Sequence, residues 1–244
     1  MRTEFLKRTV WPRLPEPVQR TLFRRRLRAA MTDPGLSRRM FDYDRNRLPN
    51  AHLAALDAGT SDLEQAVAAS GMSIGYPAWN LLYYALLCSL PATDAVVVET
   101  GTNNGVSTIV MAQALKDAGL AAVVRTIDLD GAVVESAKRN VAQAGLSDFV
   151  SFRVGDSVEF LRGLDTDHVD FAFLDASHDR DMVLREFEAV VPLVTACGGK
   201  VYFDNTTSGG VARALAEVRR RFGGNLVEFR GCSWLPPGNA VWQP

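Results

Sequence analysis

The residues best suited to chemistry fall in three runs. Two of them, Phe173-Leu174-Asp175-Ala176-Ser177-His178-Asp179 and Tyr202-Phe203-Asp204-Asn205-Thr206, end apolar stretches in acids, an amide and a histidine. Two carboxylates and an amide oxygen are hard ligands suited to Mg2+ or Ca2+. A hydroxyl bound to such a cation loses its proton more easily. His178, three residues past Asp175, titrates in the range needed to take that proton. A plainer reading stands beside this one: Asp204-Asn205 as a strand-end turn, Asp175 as a helix N-cap, His178 as a surface loop residue.

The third run comes earlier, where Val96-Val97-Val98 leads into Glu99-Thr100-Gly101-Thr102-Asn103-Asn104-Gly105. Glycines at a strand end let backbone pass close to a ligand, and the helix that follows offers free N–H groups. A dinucleotide fingerprint needs G-x-G-x-x-G; here the glycines are four apart and the middle one is missing. Glu99, two residues before Gly101, suits a cationic amino-acid group better than a diphosphate. Asp128 follows Gly105 by 23 residues, the distance at which an acid holds ribose hydroxyls. Asp156 and Ser157 follow the next predicted strand, where an adenine edge would lie. The plainer reading is a tight turn with solvated strand ends.

These groups need elements that bring them together. Helical spacing predicts helices over Trp79–Leu90, Val106–Ala118, Ala132–Ala144, Ser157–Arg162, Asp181–Thr195 and Val211–Phe222. Continuous apolar runs predict buried strands at Ala95–Glu99, Ala122–Ile127, Phe149–Val154, Val169–Leu174 and Lys200–Phe203. Leu226–Phe229 and Ala240–Trp242 are two final strand candidates. Alternating strands and helices give a doubly wound, Rossmann-like α/β fold with a parallel sheet. Ligands then bind at the carboxyl ends of the strands.

With those positions in view, Glu99–Ser107, Asp128 and Gly155-Asp156-Ser157 resemble the successive motifs of class I S-adenosylmethionine-dependent methyltransferases. The resemblance implies a seven-stranded, mostly parallel sheet with an antiparallel last strand. It also implies cofactor contacts at Glu99, Gly101, Thr102, Asn103, Gly105, Ser107, Asp128, Asp156, Ser157 and Asp175, with Met72 and Ile74 added from ahead of the first core strand. The second half is similar to the metal-dependent catechol and caffeoyl-ester O-methyltransferases. Asp175, Asp204 and Asn205 match their metal ligands, His178 falls where they carry a catalytic lysine, and Pro237–Trp242 resembles their last strand. The implied reaction moves a methyl group from S-adenosylmethionine to a hydroxyl of a phenol, diol or sugar, with Mg2+ or another divalent cation. Other readings are a metal-independent methyltransferase and a binding protein that uses the same loop without chemistry.

The resemblance covers about residues 72–244, so the chain divides into an N-terminal arm, 1–70, and a methyltransferase domain, 71–244. The 244 residues carry a net charge of −1, which points to no nucleic-acid partner. The arm differs: residues 1–31 hold nine basic and two acidic side chains, net +7, leaving −8 for the rest. Such a segment suits an anionic membrane surface, or it is a solvated helix or a dimer arm, the ordinary fate of charge runs. Cys88, Cys197 and Cys232 show neither metal spacing nor a disulfide framework, and with no leader-like or spanning apolar run the expectation is a cytoplasmic protein. His52 and His168 read as structural, Tyr83 and Tyr84 as core, and Trp234 and Pro236 as an acceptor wall or hairpin packing.

Overall fold

The computed structural model describes Val18 and residues 78–91, 93–229 and 238–244. All of the arm except Val18 lies outside the described residues, as do Met72, Ile74, Cys232, Trp234 and Pro236.

In chain order the elements are α1 (Ala78–Leu87), β1 (Val97–Thr100), α2 (Val106–Asp117), β2 (Val124–Asp128), α3 (Gly131–Gln143), β3 (Val150–Val154), α4 (Ser157–Arg162), β4 (Phe171–Leu174), α5 (Arg180–Cys197), β5 (Lys200–Phe203), α6 (Gly209–Arg221), β6 (Asn225–Phe229) and β7 (Asn239–Gln243). Each predicted strand and helix in this stretch is present, with ends shifted by a few residues. The strands form one sheet in the order β3-β2-β1-β4-β5-β7-β6. β1 to β5 pair in parallel, and β7 runs antiparallel to both β5 and β6.

The apolar runs form strands because both faces of the sheet are covered. Val97, Phe171, Phe173 and Tyr202 pack on one side with Trp79, Tyr83, Tyr84 and Ile109. Val98, Ala172, Leu174 and Phe203 pack on the other with Phe187, Val190 and Trp242. Burying each large side chain stabilises the fold by about 1.5–3 kcal/mol, so a slip of one residue, which would exchange the faces, is strongly opposed.

That fixed register positions the site. Thr100 pairs with Ile127 and with Leu174, and Leu174 pairs with Phe203. The next residue on each strand is therefore Gly101, Asp128, Asp175 and Asp204. All four stand in one row at the carboxyl edge. The strand order reverses at β1, between β2 and β4, which is where a doubly wound sheet opens its crevice.

Candidate active site

The glycine turn is built for close approach. Gly101 has φ +86°, and a Cβ there would lie 2.5 Å from the carbonyl oxygen of Asp175. Gly101 N and Thr102 N both donate to Ile127 O, at 2.9 and 3.2 Å, folding the loop over β2. Gly105, φ +83°, caps α2 with no side-chain hydrogen bond, so the first turn of α2 keeps free donors. Glu99 sits behind the loop, fully buried. It accepts from Ser107 Oγ and Thr108 Oγ1, each at 2.5 Å. Burial pushes its carboxyl up to about 7, against the pull of those hydroxyls. Thr102 and Thr126 share a hydrogen bond of 2.6 Å.

Asp128 shapes the other side of the crevice. Its Oδ2 accepts from Asn103 N at 2.9 Å and its Oδ1 from Asp130 N at 3.1 Å. A carboxylate held on its inner edge by two backbone donors still has lone pairs to offer a diol.

At the β4 and β5 ends, Asn205 Nδ2 donates to Asp175 Oδ1 at 3.0 Å. His178 Nε2 lies 3.7 Å from the same oxygen. Asp204 is almost wholly buried; its Oδ1 accepts from Asn205 N at 2.8 Å and Asn239 Nδ2 at 2.7 Å. Burial, and then repulsion from Asp175, push Asp204 up to about 8. Burial raises Asp175 as well, partly offset by His178 and Asn205. His178 is raised in turn, chiefly by its contact with Asp175. Two acids that repel each other, Asp204 buried and Asp175 half-buried, favour a positive charge beside them. Helix α5 is capped by Asp179, which accepts from Asp181 N and Met182 N. Asp175, four residues earlier, is thus free of capping.

One cavity of about 570 Å3 joins these parts, lined by Gly101, Asn103, Asp128, Asp175, His178 and Asn205, with Val133, Ala176 and Ser177. Its volume is in the range of small-ligand pockets. Glu99, Thr102, Gly105, Ser107 and Asp204 support this cavity from behind its wall. Asp156 spends Oδ1 on Glu159 N as the cap of α4, and Ser157 is buried beside it. His168 stands at the opposite sheet edge, with Nδ1 2.7 Å from Asp167. Tyr83 and Tyr84 are core.

Two residues near the site escaped the sequence reading. One is Asn239. The other is Glu186 on α5, fully buried among Val183, Phe187 and Val190. The signal was available: an acid three residues after one core valine and four before another, inside an apolar stripe. Its carboxyl lies beside the Ser157 and Thr100 hydroxyls, and neither oxygen accepts a well-formed hydrogen bond.

Burial pushes Glu186 up to about 7 from 4.5. An acid raised on folding favours the fold fully below pH 4.5, and that contribution is lost as pH rises through about 7. The Glu186→Gln variant should therefore flatten the loss of stability between pH 5 and pH 8, by about 3 kcal/mol at most. Urea unfolding at the two pH values measures this; parallel slopes for the two proteins would contradict it.

Residues 98–206 match a family model described as a methyltransferase domain. Solved structures share the fold. The O-methyltransferase TomG from Streptomyces achromogenes, in complex with SAM, is 22% identical, with 86% of this chain and 94% of that chain covered and a TM-score of 0.57. An O-methyltransferase from Bacillus cereus in complex with SAH is 19% identical, covering 87% and 97%, at 0.59. A methyltransferase from Geobacter sulfurreducens is 21% identical, covering 74% and 85%, at 0.55. No curated protein sequence matches the chain. The fold is the Rossmann-like fold of the methyltransferases. Within it, residues 98–206 are the part similar to a methyltransferase domain.

Proposed function

We propose that this protein is an S-adenosylmethionine-dependent O-methyltransferase acting on a hydroxyl of a phenol, diol or sugar, with a divalent cation, Mg2+ in the first instance. The observation that carries the reading is the row of Gly101, Asp128 and Asp175 around one cavity, with Asp204 next in the row behind its wall. The complexes of the Streptomyces and Bacillus relatives with SAM and SAH support the cofactor.

The residues fit both groups. Gly101 leaves a cradle that a Cβ would fill, Asp128 presents a carboxylate at ribose distance along the chain, and Asp175, Asp204 and Asn205 form a hard donor set. Asn205 turns its nitrogen toward Asp175 here; a half-turn of the amide presents oxygen instead. When bound, S-adenosylmethionine supplies a sulfonium methyl to a nucleophile. A divalent cation, when bound, supplies a Lewis acid for the acceptor hydroxyl.

The chain's own tasks follow. Asp128 and the Gly101 turn hold the nucleoside end, and Asp175 and Asn205 hold the acceptor side of the same cavity, so the two reactants meet in one orientation. With cofactor and acceptor bound, the exposed ring of His178 would take the proton of the acceptor hydroxyl as that oxygen accepts the methyl group, the bonding pair of the methyl–sulfur bond remaining with the sulfur. A methyl ether and the demethylated cofactor leave.

A second reading has one observation behind it. His178 already lies 3.7 Å from Asp175, so a His–Asp pair can take the proton without a cation. A labelled-methyl transfer screen over diols, phenols and sugars, with and without excess EDTA, separates the two. We expect transfer that EDTA abolishes and Mg2+ restores. Full activity in EDTA would leave the His–Asp pair; tight NAD binding with no response to S-adenosylmethionine would end both readings.

Among the described residues no helix is long and apolar enough to cross a membrane. The basic segment 1–31 is proposed as a solvated or dimer-forming arm, with a peripheral membrane contact as the competing role.

A further inference from the structure

The last strand contributes to the acidic end of the cavity in a way the ligand set alone does not include. Phe203 pairs with Ala240 across β5 and β7, which places Asn239 opposite Asp204. Thr206 N donates to Gly238 O at 3.1 Å and fixes the backbones together at this point. Asn239 is 1% exposed. Its Nδ2 donates to Asp204 Oδ1 at 2.7 Å, and Asn205 N donates to the same oxygen at 2.8 Å.

The other half of the Asn239 amide is unused. Its Oδ1 is buried and accepts no hydrogen bond. A buried carbonyl without a donor is destabilising, so a side chain chosen for packing alone would be apolar. What the amide does accomplish is specific: with both donors on Oδ1, Asp204 is held in one orientation, and Oδ2 is the oxygen that neither donor occupies. Partners of this kind, which touch a ligand side chain and not the ion, set the orientation and charge of the ligand.

We propose that Asn239 is a positioning residue for the divalent cation: it orients Asp204 so that a single carboxylate oxygen is presented beside Asp175 and Asn205. This inference rests on the cation-dependent reading above. It assigns a function to the antiparallel strand that closes the site. Without β7, Asp204 would have one donor and a free choice of rotamer.

The test uses Mn2+ as the probe, titrated into the full-length protein and followed by the paramagnetic resonance signal of the free ion. Calorimetry with S-adenosylhomocysteine runs alongside. Two variants are compared with the wild type: Asn239→Leu, which keeps the shape and removes the donor, and Asn239→Ser, which stays polar but is too short to reach Asp204. We expect Mn2+ affinity to fall about 10- to 100-fold in both, with nucleoside affinity within about threefold of wild type, a range far below the cation effect. Wild-type Mn2+ affinity in both variants would overturn the inference and leave the cation reading intact. No Mn2+ binding by the wild type would overturn the cation reading and the inference with it. Parallel loss of Mn2+ and nucleoside binding in both variants would show a general packing role and also overturn it.

Discussion

Replacing Gly101 with valine should unfold the protein 6–12 °C earlier, on the order of 3 kcal/mol, and abolish measurable nucleoside binding. Two costs combine. A β-branched side chain at φ +86° opposes a backbone conformation that costs an L-residue about 1–2 kcal/mol. Its Cβ would also stand 2.5 Å from Asp175 O and 2.8 Å from Ala176 Cα, both main-chain atoms that belong to the end of β4. Overpacking of that kind typically costs about 1–3 kcal/mol. The loop must then lift away from β4, and the crevice between β1 and β4 changes shape. Gly119→Val is the control. It also has positive φ, +68°, but nothing lies within 4 Å of its Cβ position, so it should show the backbone cost alone and bind the nucleoside normally. Thermal unfolding and calorimetry with S-adenosylhomocysteine read both effects. Equal losses in the two variants would mean that contact with Asp175 is irrelevant.

Asp175→Ala should lower methyl transfer by about 10^3-fold, the scale seen when a group stabilising charge at the reacting centre is removed. Nucleoside affinity should stay within about threefold, for a structural reason. The approach of Gly101 to residue 175 is a main-chain contact, and Asp175 N donates to Thr100 O at 3.0 Å; alanine keeps both. What is lost is Oδ1, which accepts from Asn205 and faces His178. Repulsion on Asp204 is lost as well, since Asp175 is one cause of its raised pKa. The assay is labelled-methyl transfer to whichever acceptor of the diol, phenol and sugar panel the wild type methylates. An unchanged rate would make Asp175 a structural residue. A matched collapse of nucleoside affinity would place its carboxylate on the cofactor side of the cavity.

Glu186 and Asn239 show where a one-dimensional reading stops. Glu186 was legible as an acid inside an apolar helical stripe, yet the stripe does not say which hydroxyls it meets. Those come from β1 and α4, many residues away. Asn239 looked like part of a closing strand. Its importance depends on the β5–β7 register, which pairs it with a residue 35 positions earlier. Asp175 gives the converse case. Sequence alone leaves it between ligand and helix cap, and the cap at Asp179 removes the second of these readings.

Local chemistry was readable without coordinates: the continuous apolar strands, the helical stripes, and an acid or glycine at each strand end, because burial on two faces and backbone freedom leave direct marks on residue type. That the ends of β4 and β5 are neighbours followed from the alternating units and holds; the full order β3-β2-β1-β4-β5-β7-β6 and the register were not readable, because they are set by packing against both helix layers. Contacts between distant segments have no period in the sequence; only the folded sheet brings Gly101, Asp128, Asp175 and Asp204 into one row and closes it with Asn239.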